Sequence, residues 1–250
     1  MRLQGDKIAL FLSGQDVPVP ECNIIIHQPT IAQIVMFKES SFLTAINLLG
    51  NVHENAERLR KANPRANEFS DFQILMALIN QDTSFQSSID SFFRLIFPRY
   101  KIDVQERDIN FFENDRKVGM INQFNYEAFE KTVQGLFSLP NSKDEMNPAN
   151  DKAAKIAEKL KKRKEILNKK KGLEDESPSL YGSYISVMSV GMGIDINVLF
   201  QYTPFQLYDL FNRYWKKNSS DFYLRVSTMP MMDTSEMEEP EPWTDNLYGK

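Results

Sequence analysis

The chain has 250 residues, 42% hydrophobic and 26% charged, with 30 basic against 34 acidic side chains and a net charge of -4. That length allows a sizeable buried core and one or two domains, and the mild acidity lacks the global basic footprint of a nucleic-acid-binding domain. A single cysteine, Cys22, excludes an intrachain disulfide framework and points to a reducing compartment. No run of about 18 apolar residues and no apolar leader before a small-residue cleavage site is visible. No membrane association is expected, and the cytoplasm is the default location.

In chain order, Lys7 to Ser13 and Asn23 to His27 read as two strands, separated by Gly14, Pro18 and Pro20 and closed by Pro29. Thr30-Ile31-Ala32-Gln33 fits a capping box opening a helix, and Ser41 to Leu49 predicts another. Ser70 to Gln73 is a second capping box, with Phe69 placed to staple onto Ile74, for a helix ending near Asn80. Ser84 to Phe97 carries apolar residues at helical spacing and is stopped by Pro98. Ile109 to Glu113 and Val118 to Gln123 flank the turn Asn114-Asp115-Arg116-Lys117 as a hairpin, and Tyr126 to Leu139 predicts a helix. Residues 1–140 thus read as an α+β N-terminal domain.

Residues 141–178 change character. Asn141 to Asp151 is polar and reads as a linker. Lys152 to Lys171 then holds ten Lys/Arg against two Glu, net +8, leaving the remainder of the chain with 20 basic and 32 acidic residues, net -12. Lys155, Lys159, Lys162 and Arg163 lie on this basic helix, whose apolar seam is Ile156, Leu160 and Leu167. Phosphate tracking is one use for it. With one arginine and almost no aromatics it serves base readout poorly, so a solvated or protein-facing helix is favoured and nucleic acid is not expected as the partner.

Residues 179–228 read as a C-terminal helical domain. Ser179 to Val190 is apolar and suggests a buried helix broken at Gly191 and Gly193. Thr203-Pro204-Phe205-Gln206-Leu207 is the clearest helix start, with threonine as cap, proline in the first turn, glutamine reaching back and Tyr202 as a staple. This helix should run to about Trp215. Residues 229–250 form an acidic tail, proline-rich and expected to be unstructured in isolation. The fold class read from the whole is α+β, mainly α-helical, with short β-hairpins.

Chemistry is sparse. His27, His53 and Cys22 are three candidates for a zinc site that usually needs four, and no metal or cofactor is expected. There is no Gly-x-Ser-x-Gly elbow, a Cys22 and His27 pair would lack an orienting group, and Glu238-Glu239 lies in the tail. Gly191-Met192-Gly193 lacks the Walker lysine and reads as a turn between packed helices. Catalysis is therefore not expected. Aromatics crowd the helix after Thr203 instead. Phe205, Leu207, Tyr208, Phe211, Tyr214 and Trp215, with Trp243 in the tail, are the candidate partner-binding residues, since buried aromatics dominate interface hot spots.

Two patches carry a family resemblance. One is the apolar strand leading into His27-Gln28-Pro29-Thr30-Ile31-Ala32-Gln33-Ile34; the other is Thr203-Pro204-Phe205-Gln206-Leu207-Tyr208-Asp209, with the acidic end around Trp243. In these the chain resembles tail assembly chaperones of tailed bacteriophages. The resemblance implies a non-enzymatic protein of the host cell cytoplasm. It would bind the long helical tape-measure protein or another phage structural protein and help the tail assemble; self-association is compatible with it. The alternatives are a structural virion protein of neck, baseplate or other tail component, and a nucleic-acid-binding protein using the basic helix.

Overall fold

A computed structural model describes residues 5–137, 179–229, 239–240 and 242–244. The expected linker, the expected basic helix with Lys155, Lys159, Lys162 and Arg163, and most of the acidic tail lie outside the described residues. The chain is a mainly helical α+β protein with two small antiparallel sheets.

The first element corrects an expectation. Gly5–Ser13 is a helix, α1, and not a strand. Its Ala, Leu and Phe residues suit a helix, Ile8 is its one β-branched residue, Asp6 sits in the positive first turn, and Gly14 leaves at φ 69°. The early sheet instead pairs β1 (Val17–Val19) with β2 (Ile24–Ile26), and Val17 lies opposite Ile26. Pro18 is tolerated because it faces outward on a two-stranded sheet, where no further strand needs its missing N–H.

Helices α2 (Ile31–Met36), α3 (Glu39–Gly50), α4 (Val52–Ala62), α5 (Asp71–Gln81) and α6 (Thr83–Ile96) follow. The capping boxes at Thr30 and Ser70 form in both directions, hydroxyl to N3 amide and glutamine back to the cap. α4 was not foreseen: Val52, Ala56 and Leu59 give it only a thin apolar face among charged residues. The predicted hairpin is present as β4 (Asp108–Glu113) and β5 (Arg116–Asn122), and Asn114 and Asp115 supply the two positive φ angles, 51° and 60°, that a tight hairpin turn requires. A third strand, β3 (Lys101–Val104), pairs with β4 on its other edge. Gly119 of β5 passes so close to the early hairpin that a Cβ there would strike the carbonyl oxygens of Cys22 and Asn23.

α7 (Tyr126–Phe137) packs on α3, as does α6. Between them the rings of Phe42, Phe92 and Phe137 meet at centroid distances of 5.3 to 5.8 Å, two of the three pairs edge-to-face. Such pairs add about 0.5–1.5 kcal/mol each beyond the area they bury. The C-terminal helices are α8 (Leu180–Met192), α9 (Ile196–Phe200) and α10 (Pro204–Ser227). α10 runs well past Trp215 because Lys216 to Asp221, although polar, contains no glycine or proline and is spanned by a Lys217–Asp221 pair at 2.9 Å.

One buried cluster takes in Phe11, Ile31 and Leu49 from the first 140 residues together with Tyr181, Ile185, Met188, Leu199, Phe205 and Leu207 from beyond residue 179. The junction is fixed by hydrogen bonds between distant segments. The Ile31 amide donates to the Tyr202 carbonyl at 2.9 Å. Gln206 Nε2 donates to the Leu12 carbonyl at 2.7 Å, and Gln28 Nε2 donates to the carbonyls of Gln15 at 2.7 Å and Leu10 at 3.3 Å. Gln206 therefore closes its own capping box and also terminates α1. Gln33 closes the equivalent box at α2 but is exposed and, among the described residues, makes no hydrogen bond to another element. Gln206→Ala should cost about 1–2 kcal/mol in urea unfolding, and Gln33→Ala clearly less; equal costs would show that the α1 contact contributes nothing.

Candidate protein-binding surface

α8 is the unusual helix. From Ser179 to Ile194 the chain carries no charged side chain. An all-round uncharged apolar helix in a globular protein is ordinarily enclosed on every side. Here only one face is: Tyr181, Ile185 and Met188 are buried, and the Tyr184 ring meets Phe211 of α10 edge-on at 4.5 Å. The expectation of a wholly buried helix is corrected, because Val187 is 50% and Val190 86% exposed on the side that no described element covers.

Both ends of α8 are held firmly. Glu39, at the start of α3, accepts from the Leu180 amide at 2.6 Å, the Tyr181 amide at 3.1 Å and the Ser179 hydroxyl at 2.6 Å, placing a carboxylate on the positive end of α8. Gly191 lies against the Tyr214 ring, with no room for a Cβ, so α8 and α10 approach closely there. Gly193 ends the helix at φ 68°. Met192 in its last turn and, past Gly193, Ile196 and Val198 remain exposed, and α9 packs on both α8 and α2, where Val35, Met36 and Phe37 are also exposed. Exposed apolar side chains thus recur along three adjoining helices. Their sequence signal was the uncharged run itself; what it lacked was any indication of which face the fold would leave open.

The sequence-predicted residues divide. Phe205 and Leu207 are buried and are corrected to core: Phe205 packs edge-on against Phe11 at 5.3 Å, because proline and the capping box turn the first turn of α10 inward. Tyr208, Phe211 and Tyr214 are half-buried on the next turns. Trp215 is 65% exposed. Trp243 is partly exposed, and its carbonyl accepts from the Arg213 guanidinium at 3.1 Å, which brings this stretch of tail against α10. The two resemblance patches meet at the α1–α2–α10 junction, where their glutamines and caps are structural.

The chemical candidates stay apart. Cys22 is buried beside the Asn125 carbonyl, and burial pushes its thiol up to about 12, which leaves little thiolate for attack at neutral pH. His27 pairs instead with Asp16 at 2.9 Å, and Asp16 also meets Arg99 at 3.1 Å. Gly191-Met192-Gly193 closes the C-terminal end of α8, the wrong pole for a phosphate. Among the described residues no three His, Cys, Asp or Glu side chains gather to hold a metal ion, and no helix is long and apolar enough to cross a membrane. Comparison with known protein families, with curated proteins and with solved structures returns no match.

One ionic cluster pins α4 to α5. His53 Nδ1 and Arg60 meet the two oxygens of Asp71 at 2.8 and 2.5 Å, and His53 Nε2 lies 3.5 Å from Glu57. Partial burial pushes Asp71 up, but the hydrogen bonds from His53 and Arg60 outweigh it and hold the carboxyl below its ordinary value. The Asp71 hydrogen bond raises exposed His53. Nearby Glu130, half-buried and accepting from the Val52 amide at 3.3 Å, is raised by burial. The Asp71 contribution is present above the usual carboxylate range and fades as pH falls through its lowered value. That of His53 is present below the usual histidine range and is lost as pH rises through its raised value. Asp71→Asn should therefore lower Tm at about pH 6 and lower it less at about pH 9, where only Arg60 still pairs; a difference that does not change between these pH values would contradict the cluster.

Proposed function

We propose that this chain is a non-enzymatic, protein-binding assembly factor, a phage tail assembly chaperone that holds an apolar helical segment of the tape-measure protein in the host cytoplasm. The observation that supports it is the uncharged helix α8, fixed at both ends and presenting Val187 and Val190 outward. A second apolar helix could lie along it without desolvating any charge, and small side chains at Ser183, Ser186, Val187 and Val190 permit close approach. The neighbouring Met192, Ile196 and Met36 extend the apolar area, and Trp215 supplies an aromatic anchor beyond it. The family resemblance of the capped motifs at Thr30 and Thr203 gives the partner its name. The buried thiol and the separated histidines support a role without catalysis.

The test is co-purification from the producing cell with wild-type chain and with the double substitution Val187→Glu/Val190→Glu. Both valines are exposed, so Tm should stay within a few degrees of wild type. A long helical tail protein should be captured by the wild type and lost, by about tenfold or more, with the double variant. Mass spectrometry of purified particles completes the test. Stoichiometric presence of the chain in the particle would overturn the chaperone reading in favour of a structural virion protein.

A further inference from the structure

Away from α8, α4 reaches the main core through Val52 and otherwise rests on a small apolar cluster of its own. Ala56, Ala66 and Ile74 form its buried part, with Leu59 and Leu78 packed beside it, separate from the main core. Because two of the three buried members are alanines, the cluster does not fill the space between α4 and α5. It leaves a cleft of about 550 Å³, within the roughly 300–1,000 Å³ of ordinary ligand sites. Leu59, Ala66 and Ile74 line its apolar interior, and Phe69, 52% exposed, contributes a wall.

The rim is cationic. Arg65, from the turn at Pro64–Glu68, and Arg107, from the connection between β3 and β4, both line the cleft. Among the described residues neither guanidinium has an ion-pair partner, whereas neighbouring Arg60 is committed to Asp71 and to the Phe69 carbonyl. Among the described residues Glu106 is the one carboxylate lining the cleft. Two guanidiniums on separate segments, without an ion-pair partner among the described residues and with an apolar floor between them, match carboxylates placed on either side of a bulky apolar side chain. A simple anion would use the rim and leave the floor empty, and a neutral apolar molecule would do the reverse.

We propose that this cleft is a second docking site, taking a linear acidic segment of another protein that carries large apolar side chains between its carboxylates. It uses none of the α8 surface and stands independently of the function proposed for it.

The experiment uses the full chain and a fluorescein-labelled synthetic peptide in which Glu alternates with Leu and Phe, compared with the same peptide bearing Gln for Glu. Fluorescence anisotropy at low salt should show saturable binding, with a preference of about tenfold or more for the Glu peptide. Arg65→Glu/Arg107→Glu should abolish that preference. Ala77→Trp, which fills the cleft from an exposed position on α5, should abolish binding of both peptides. Val187→Glu/Val190→Glu should leave binding intact. Thermal unfolding of each variant establishes that it is folded. No saturable binding, equal affinity for the two peptides, or full binding to a folded Ala77→Trp variant would each overturn the proposal.

Discussion

Among the described residues the Leu12 carbonyl, at the end of α1, has no partner within its own helix, and a half-buried helix end is costly to leave bare. Its donor is Gln206, 194 residues away in sequence, while the Leu10 carbonyl accepts from the Ser13 hydroxyl at 2.7 Å and also from Gln28 at 3.3 Å. The same device recurs at α3, where Tyr126 donates to the Leu49 carbonyl at 2.6 Å and Gln134 donates to the carbonyl of Gly50. It recurs with opposite sign at α8, where Glu39 accepts from the first amides. Helices in this protein are held to one another by distant side chains that satisfy their ends, while the apolar cluster supplies the bulk of the free energy of association. Each such bond contributes about a kilocalorie per mole, but leaving its buried partner bare would cost more, so these contacts select one arrangement of the helices.

That arrangement leaves α8 half covered. With its start on Glu39 and Gly191 wedged against Tyr214, the helix cannot roll to hide Val187 and Val190 without breaking one anchor or the other. The exposed valines are thus a consequence of rigid seating, and a rigid apolar face loses little conformational entropy when something lies down on it. The α4 region contrasts with this. Its cluster is small, two of its buried members are alanines, and the partly exposed Asp71 pairs add to a thin apolar contact with α5.

Local chemistry was well marked in the sequence. The capping boxes at Thr30, Ser70 and Thr203 and the turn at Asn114-Asp115 were readable because a cap or a tight turn needs particular residue types within four positions. The strand expected at Lys7 to Ser13 was misread because a short apolar run does not declare its period, and its leucines favoured the helix. α4 was missed because its apolar face is only Val52, Ala56 and Leu59 among charged and polar residues. Among the candidate binding residues, Trp215 and Trp243 keep exposed surface, while Phe205 and Leu207 do not. An aromatic stripe marks a face that will be covered without saying whether its own fold or another protein covers it.

By itself, the sequence determined the mainly helical character, the starts of three capped helices, the tight hairpin and the uncharged stretch from Ser179 to Ile194, all of which depend on side chains acting on their near neighbours. Only the tertiary structure decided that this stretch shows one face to solvent, that Phe205 and Leu207 point inward, and that Arg65 and Arg107 border a common cleft. Those outcomes follow from long-range pairings such as Gln206 with Leu12 and Glu39 with Leu180, and pairings between segments so far apart leave no periodic trace along the chain.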